Sequence, residues 1–230
     1  REFNEKYCTE ADVLMWGESD SLIPKQTFEV LDLLQTNNVS QGIHKWIAFF
    51  GTCKMWDDSW TSIEHTDFTD KPFIEGDHDN WWSLRYNMTI DEMNSINDKV
   101  EELDVREVSP YKLNGCGMIM SSDVIRCGVN IPRCMMMVHE DTAFQFSLIK
   151  NFNGSIPQFV FKNLLLVHNR KHHKKRMYTL GEDPNETNPT QKRKNGAPWF
   201  EKVWKLDLHN CYNMYNQGKV YTWDDVYDEN

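Results

Sequence analysis

Residues 11–34 read ADVLMWGESDSLIPKQTFEVLDLL, and the first half of this stretch sets the expected fold. Val13 to Trp16 form a short continuous apolar run, which is typical of a strand that is covered on both faces. Gly17 ends the run, and Glu18 and Asp20 follow with one residue between them. The pattern therefore predicts a buried strand that ends in an acidic loop.

The second half of the stretch predicts a helix. Pro24 fits a first helical turn, where its missing N–H costs nothing, and Phe28, Leu31 and Leu34 recur at helical spacing. The order of strand, acidic loop and helix indicates an α/β domain. Similar patterns predict strands near 45–50, 118–120 and 159–167, and helices near 91–103, 122–126, 140–149 and 198–212.

The composition of the chain limits the classes of protein to which it can belong. It has 230 residues, of which 40% are hydrophobic, and no apolar run approaches the roughly 18–20 residues of a membrane-spanning helix. The formal net charge of −10 argues against a surface that binds polyanions as a whole. The six cysteines include no Cys-x-x-Cys pair, which indicates reduced thiols and a cytoplasmic protein.

Residues 55–106 show no clear periodicity and predict a long irregular insertion, which in a compact domain is usually a functional loop or lid. Trp60, Trp81 and Trp82 lie in it, and their amphipathic rings suit the face of a sugar or a base. Core packing is the alternative role for each ring.

Two acidic pairs lie at positions that suit chemistry. In open α/β sheets ligands bind beyond the carboxyl ends of the strands, and Glu18 and Asp20 follow such an end. Two carboxylates there can hold Mg²⁺ or Mn²⁺, and the cation can neutralise a diphosphate. Glu140 and Asp141 open a later helix, where a carboxylate can act as general base toward a hydroxyl. Helix capping is the alternative role for both pairs.

These segments, taken in order, resemble glycosyltransferases of the GT-A fold, especially the large family 2 type. Residues 11–34 are similar to the family's buried strand with its Asp-x-Asp motif, which here reads Glu18-Ser19-Asp20. The stretch NGCGMIMSSDVIR, residues 114–126, resembles the Gly-containing strand and short helix on the acceptor side. HEDTAF, residues 139–144, resembles the Glu-Asp motif of inverting members, and His168 ends an apolar strand where many members bind the metal.

The resemblance covers about residues 11–168 and implies both a fold and a site. The fold is a mixed, mostly parallel sheet flanked by helices, with a catalytic domain at 1–168, the insertion at 55–106, and a basic loop with a helical extension at 169–230. The implied site residues comprise metal ligands, donor-binding residues, a base motif and acceptor contacts. They are Asp20, His168 and Glu18 for the metal, Glu18 and Asp20 for the donor, Asp141 with Glu140 for the base, and Gly115 and Gly117 for the acceptor. The chemistry of their rings, rather than the resemblance, adds Trp81 and Trp82 as acceptor contacts.

The chain departs from the family at two points. Glu18 stands where Asp is usual, and its longer side chain alters the reach of the carboxylate. The family also has a nucleotide-binding βαβ segment before the Asp-x-Asp strand, whereas ten residues precede Ala11 here. The resemblance therefore implies that a missing N-terminal segment or a partner chain supplies that part.

Arg170 to Arg176 is the densest positive run of the chain. It suits a closing loop whose cations, among them Lys174 and Arg176, hold the diphosphate, or a track for a nucleic-acid backbone; a solvated loop is the alternative. The position directly after His168 favours the closing loop. The bias toward Asn, Asp, Lys and Met is typical of phage or viral proteins, for which the compartment would be the host cytoplasm.

Other clusters suit packing better than chemistry. The spacing of Cys116, Cys127, Cys134 and His139 matches no closed zinc site, so we expect buried thiols. Residues 135–137, three consecutive methionines, are expected to fill the core or to line an acceptor pocket.

The resemblance, together with the acidic pairs, thus implies a metal-dependent, inverting transferase that moves a sugar from a nucleotide-diphosphate donor to a hydroxyl of a glycan or a nucleic acid. The rival interpretation is a noncatalytic module that binds carbohydrate or nucleic acid through the Trp-rich insertion and the basic run.

Overall fold

The computed structural model describes residues 1–17, 21–51, 54–56, 62–64, 89–108, 117–168, 198–216 and 218–228. The helices in these ranges are α1 (Glu2–Tyr7), α2 (Thr27–Ser40), α3 (Ile90–Asn97), α4 (Ser122–Arg126), α5 (Glu140–Phe152), α6 (Pro198–Asn213) and α7 (Trp223–Tyr227). The strands are β1 (Val13–Trp16), β2 (Ser21–Leu22), β3 (Ile47–Gly51), β4 (Lys54–Trp56), β5 (Ser62–Glu64), β6 (Val105–Val108), β7 (Met118–Ser121), β8 (Gln158–Leu165) and β9 (Val167–His168).

Five strands form the central sheet, in the order β1-β7-β3-β8-β6. β7 lies between β1 and β3 and runs antiparallel to both, so β1 and β3 point the same way. β8 is parallel to β3, and β6 closes the described sheet antiparallel to β8. The carboxyl ends of β1, β3 and β8 therefore lie at one edge, which we call the carboxyl edge.

The sheet is mixed, as predicted, but the expectation that it is mostly parallel is wrong for the described strands. Only β3 and β8 form a parallel pair, and the other three neighbouring pairs are antiparallel. β7 enters the sheet from the carboxyl edge, where its neighbours β1 and β3 end. A strand that enters from that edge must run against its neighbours.

Both faces of the central sheet are covered, which gives the protein three layers. Phe49 and Met118 belong to a core cluster shared with α4 and α5, and residues at the end of α1 pack against it. Phe50 and Ile119 belong to the cluster on the opposite face, which α2 covers. Because successive side chains of a strand point to opposite faces, strands covered on both sides read as continuous apolar runs.

Helix α2 follows β1 and β2, as predicted, but it begins later and presents a different face. Pro24 precedes the helix rather than lying in its first turn, and its carbonyl accepts hydrogen bonds from the backbone N–H and hydroxyl of Thr27. Leu31 and Leu34 are buried, whereas Phe28 is 83% exposed. Phe28 thus lies outside the buried stripe, which includes Thr27 and Val30 instead.

The predicted helix within the insertion is shorter than the pattern 91–103 indicated. α3 begins with a capping box in which Thr89 and Glu92 bind each other's backbone N–H, and it ends at Asn97. The Asn97 side chain then accepts the N–H of Leu165 at 2.8 Å and donates to its carbonyl at 2.9 Å. The amide therefore takes the place of a neighbouring strand where the pairing of β3 with β8 becomes irregular.

The predicted helices at 122–126, 140–149 and 198–212 are confirmed as α4, α5 and α6. α6 packs against α5, so the predicted C-terminal extension lies directly on the layer that covers the sheet. No helix in the described ranges is long and apolar enough to cross a membrane.

Candidate functional site

A two-stranded ladder connects two of the predicted site segments. β2 and β9 pair antiparallel, with Ser21 opposite His168 and Leu22 opposite Val167. Asp20, the predicted metal ligand, directly precedes Ser21 in the sequence. The ladder follows β1 along one segment and β8 along the other, so it belongs to the carboxyl edge.

The assignment of metal ligands stays a prediction. Glu18 and Asp20 lie outside the described residues, and His168 is described by its backbone alone. Among the described side chains no group of three His, Cys, Asp or Glu residues could hold a metal ion. The register places the backbone of His168 beside Ser21, the residue that follows Asp20.

The acidic pair Glu140 and Asp141 lies in the first turn of α5, as predicted. Residues 153–157 join the end of α5 to the start of β8, and Phe144 and Leu148 of α5 pack on the sheet. A connection this short makes α5 run back along the sheet, so its first turn points toward the carboxyl edge.

The carboxylate of Asp141 is half-buried and is oriented by its neighbour. Its Oδ1 accepts hydrogen bonds from the backbone N–H of Thr142 at 2.6 Å and from the Thr142 hydroxyl at 3.3 Å. No other hydrogen bond to Asp141 is found among the described residues. Both contacts engage Oδ1, and the part of the chain that the structure describes supplies no hydrogen bond to Oδ2.

His139, which caps α5, has an unusual backbone. Its φ of 61° and ψ of 18° place it in the left-handed region, which is uncommon for residues other than glycine and costs of the order of 1 kcal/mol. Its ring lies 5.3 Å from the ring of Trp204 on α6, measured between centroids. Its buried Nε2 has no hydrogen-bond partner in the described part of the chain.

Gly117 is the described member of the predicted acceptor residues. It is buried, and a β-carbon at this position would lie 2.5 Å from Cδ1 of Leu166. The close atom is the end of a leucine side chain, which can shift, so this contact alone does not require glycine, and the acceptor role of Gly117 stays a prediction. Gly115, Trp81, Trp82, Lys174 and Arg176 lie outside the described residues, and their roles stay predictions.

A buried carboxylate next to the base motif was not predicted from the sequence. Asp207 of α6 is fully buried, and it accepts the backbone N–H groups of Met136, Met137 and Val138. The sequence did contain a hint of this buried carboxylate. Asp207 lies between Val203 and Cys211 on one stripe of the helix, and a charged residue within an apolar stripe is unexpected. Met137 itself is 43% exposed, so the expected core role is wrong for that side chain.

The expectation of buried thiols is wrong for Cys127, which is exposed, and Cys134 is only half-buried. Cys116 lies outside the described residues, whereas Cys8 and Cys211, which were not part of that set, are buried. Burial, and after it the negative charge of Asp141, raises the pKa of Cys211 to about 11. Burial is also the main cause that raises the pKa of Cys134. Both thiols are therefore protonated at neutral pH.

The comparisons with known proteins returned no relatives. No protein-family model, no curated protein and no solved structure matches this chain.

Proposed function

We propose that this chain is a metal-dependent glycosyltransferase that transfers a sugar from a nucleotide-diphosphate donor to a hydroxyl acceptor. The pairing of Ser21 with His168 carries the proposal. It joins the residue that follows Asp20 to the second predicted ligand, although almost 150 positions separate them in the chain. Helix caps at unrelated places would not require such a pairing.

Asp20 and His168 are proposed to bind Mn²⁺ or Mg²⁺. Glu18 is proposed to contact the donor or the metal. The bound cation would neutralise the charge that develops on the departing diphosphate. The proposal concerns a cation held at the carboxyl edge, where ligands of open α/β sheets usually bind.

The direction of the β2–β9 ladder supports a role for the basic run. In an antiparallel pair, the residue before Ser21 and the residue after His168 leave from the same end of the ladder. The acidic loop and the segment that contains Lys174 and Arg176 are thus attached at one point. We propose that these two cations hold the diphosphate during transfer.

Asp141 is proposed to act as the general base. Its Oδ2 would take the proton of the acceptor hydroxyl as that oxygen bonds to the anomeric carbon. The bond from this carbon to the diphosphate oxygen breaks in the same step, and the electron pair leaves with the diphosphate. Attack from the face opposite the leaving group inverts the anomeric carbon.

Titration with Mn²⁺ tests the metal site. We expect the wild type to bind Mn²⁺, and Asp20→Ala and His168→Ala each to weaken binding at least about tenfold. Asp32→Ala removes an exposed carboxylate of α2 and should leave Mn²⁺ binding unchanged. The affinity is obtained from the concentration of free Mn²⁺ at each point of the titration. Equal affinity in the wild type and all three variants would contradict the proposed metal site.

Transfer assays with a panel of nucleotide sugars test the base. We expect Asp141→Asn to lower kcat roughly 100-fold or more while the shift in melting temperature caused by Mn²⁺ with a nucleotide diphosphate persists. Transfer that survives in Asp20→Ala after metal removal would overturn the proposal. Binding of glycans or DNA with no joint stabilisation by metal and nucleotide would favour a noncatalytic binding module.

A further inference from the structure

Asp207 forms an unusual set of contacts for a buried carboxylate. It lies on α6 and is fully buried. Its Oδ1 accepts the N–H of Met136 at 2.8 Å, and its Oδ2 accepts the N–H groups of Met137 at 2.8 Å and Val138 at 2.9 Å. Burying a carboxylate is costly unless hydrogen bonds compensate for the lost water, and three charge-assisted bonds do so here.

The three N–H groups belong to a segment that has no regular secondary structure and leads directly into α5. Its other end is held as well, because Nδ2 of Asn210 donates to the carbonyl of Cys134 at 2.8 Å. Two side chains of α6, one turn apart, therefore fix residues 134–138 from both ends.

The left-handed conformation of His139 follows from this arrangement. A non-glycine residue stays in this region only where its surroundings determine the backbone on both sides. Asp207 fixes the preceding residues, Trp204 contacts the His139 ring, and α5 continues from its carbonyl, which accepts the N–H of Ala143. Contacts from α6 thus hold the turn through which the chain enters α5.

We propose that Asp207 is a positioning residue for the base: through the backbone of residues 136–138 and the turn at His139, it sets the orientation of the Asp141 carboxylate. The chemical part of this inference rests on the proposed function. Asp207 touches neither the donor nor the acceptor. Its effect is to hold Asp141 where the acceptor hydroxyl can reach Oδ2, and misplacement of a reacting group by about 1 Å lowers the rate about 100-fold.

Asp207→Asn tests the inference because it keeps the size of the side chain. The amide presents one acceptor oxygen and an NH₂ group, so at least one of the three backbone N–H groups loses its partner. Glu201→Gln is the matched control, since it makes the same chemical change on an exposed residue of the same helix.

Amide hydrogen exchange tests the contact between Asp207 and the backbone N–H groups of residues 136–138. In the wild type we expect the amides of residues 136–138 to be protected, although they lie in no helix or strand. In Asp207→Asn they should exchange at least about tenfold faster, and in Glu201→Gln they should not change. Exchange of these amides at the rate of a free peptide in the wild type would overturn the inference even if the variant does not fold.

Steady-state kinetics test whether Asp207 positions the Asp141 carboxylate. We expect kcat of Asp207→Asn to fall roughly 10- to 100-fold, with the KM for the donor within about twofold of the wild type. The number of Mn²⁺ ions bound per chain measures the fraction of folded protein and corrects kcat for it. A purely structural defect would lower this number together with kcat. Faster exchange with an unchanged kcat would overturn the positioning role. A wild type that binds Mn²⁺ but transfers no sugar would overturn the proposed function, and with it the chemical part of the inference.

Discussion

At the scale of single residues, polar side chains tie together backbone segments that are distant in the chain. Ser122 donates its hydroxyl to the carbonyl of Ala11, and Nε of Arg126 donates to the carbonyl of Cys8. These contacts link the segment before β1 to α4. The entry into β1 is therefore fixed by residues that follow more than 100 positions later.

Cys211 gives a residue-scale prediction about pH. The pKa of its thiol rises from an ordinary value of 9.0 to about 11 in the folded protein. As the pH rises, the unfolded chain loses this proton first, so folding stability is lost between about pH 9 and about pH 11. We expect the free energy of unfolding to fall by about 1–3 kcal/mol over this window from this group alone.

Urea unfolding of the wild type and Cys211→Ala at pH 8, 9, 10 and 11 checks the expected loss. The alanine variant should be less stable at pH 8, but its stability should decline less steeply above pH 9. Cys127→Ala, at an exposed thiol, should keep the slope of the wild type. Parallel pH curves for the wild type and Cys211→Ala would contradict the assignment.

At the scale of elements, α3 supports the irregular end of β8 through one amide. Asn97 is 1% exposed, and it supplies both a donor and an acceptor to Leu165. A side chain without these groups would leave a buried N–H and a buried carbonyl unpaired. Such groups cost about 1–3 kcal/mol each because they give up water without a replacement.

We therefore expect Asn97→Ala to lower the free energy of unfolding by about 2–4 kcal/mol. Ser95→Ala is the control, since Ser95 lies on the same helix but is exposed, and its effect should stay within about 0.5 kcal/mol. Urea denaturation at 25 °C measures both variants. Equal midpoints for Asn97→Ala and the wild type would show that water or another group replaces the amide.

The elements also show how far sequence patterns reach in this protein. The run Val13–Trp16 identified β1 and the acidic turn identified the start of α5, because burial on both faces and first-turn carboxylates leave local signals. β6 and the β2–β9 pair were missed, since short edge strands carry little periodicity. Asp207 was missed as part of the site because its partners lie about 70 positions away, and pairing at that distance leaves no local pattern.

At the scale of the whole molecule, α6 is bound into the structure by polar contacts as well as by packing. Asn210 donates to the carbonyls of Cys134 and Tyr221 and accepts the N–H of Tyr221. It therefore joins three parts of the chain: the segment before α5, α6 itself and the segment before α7. Residues 198–228 thus contribute to the layer that contains the base motif.

A truncated chain tests this contribution. We expect a chain that ends at residue 197 to melt more than about 10 °C below the full chain, since it exposes one side of α5 and leaves the N–H groups of 136–138 without their acceptor. A chain that ends at residue 216 keeps α6 and should lose much less. Thermal melting by circular dichroism compares the three chains, and equal melting temperatures would contradict the expectation.

The position of β3 in the sheet has a consequence for synthesis on the ribosome. Its two neighbours are β7 and β8, so Ile47 pairs with Met120 on one side and with Gln158 on the other. While the chain is being made, residues 47–51 emerge long before either partner exists, and they present an apolar strand with two unpaired edges. A strand with unpaired edges can pair with another chain, so residues 47–51 are exposed to association with other nascent chains until β8 has left the exit tunnel.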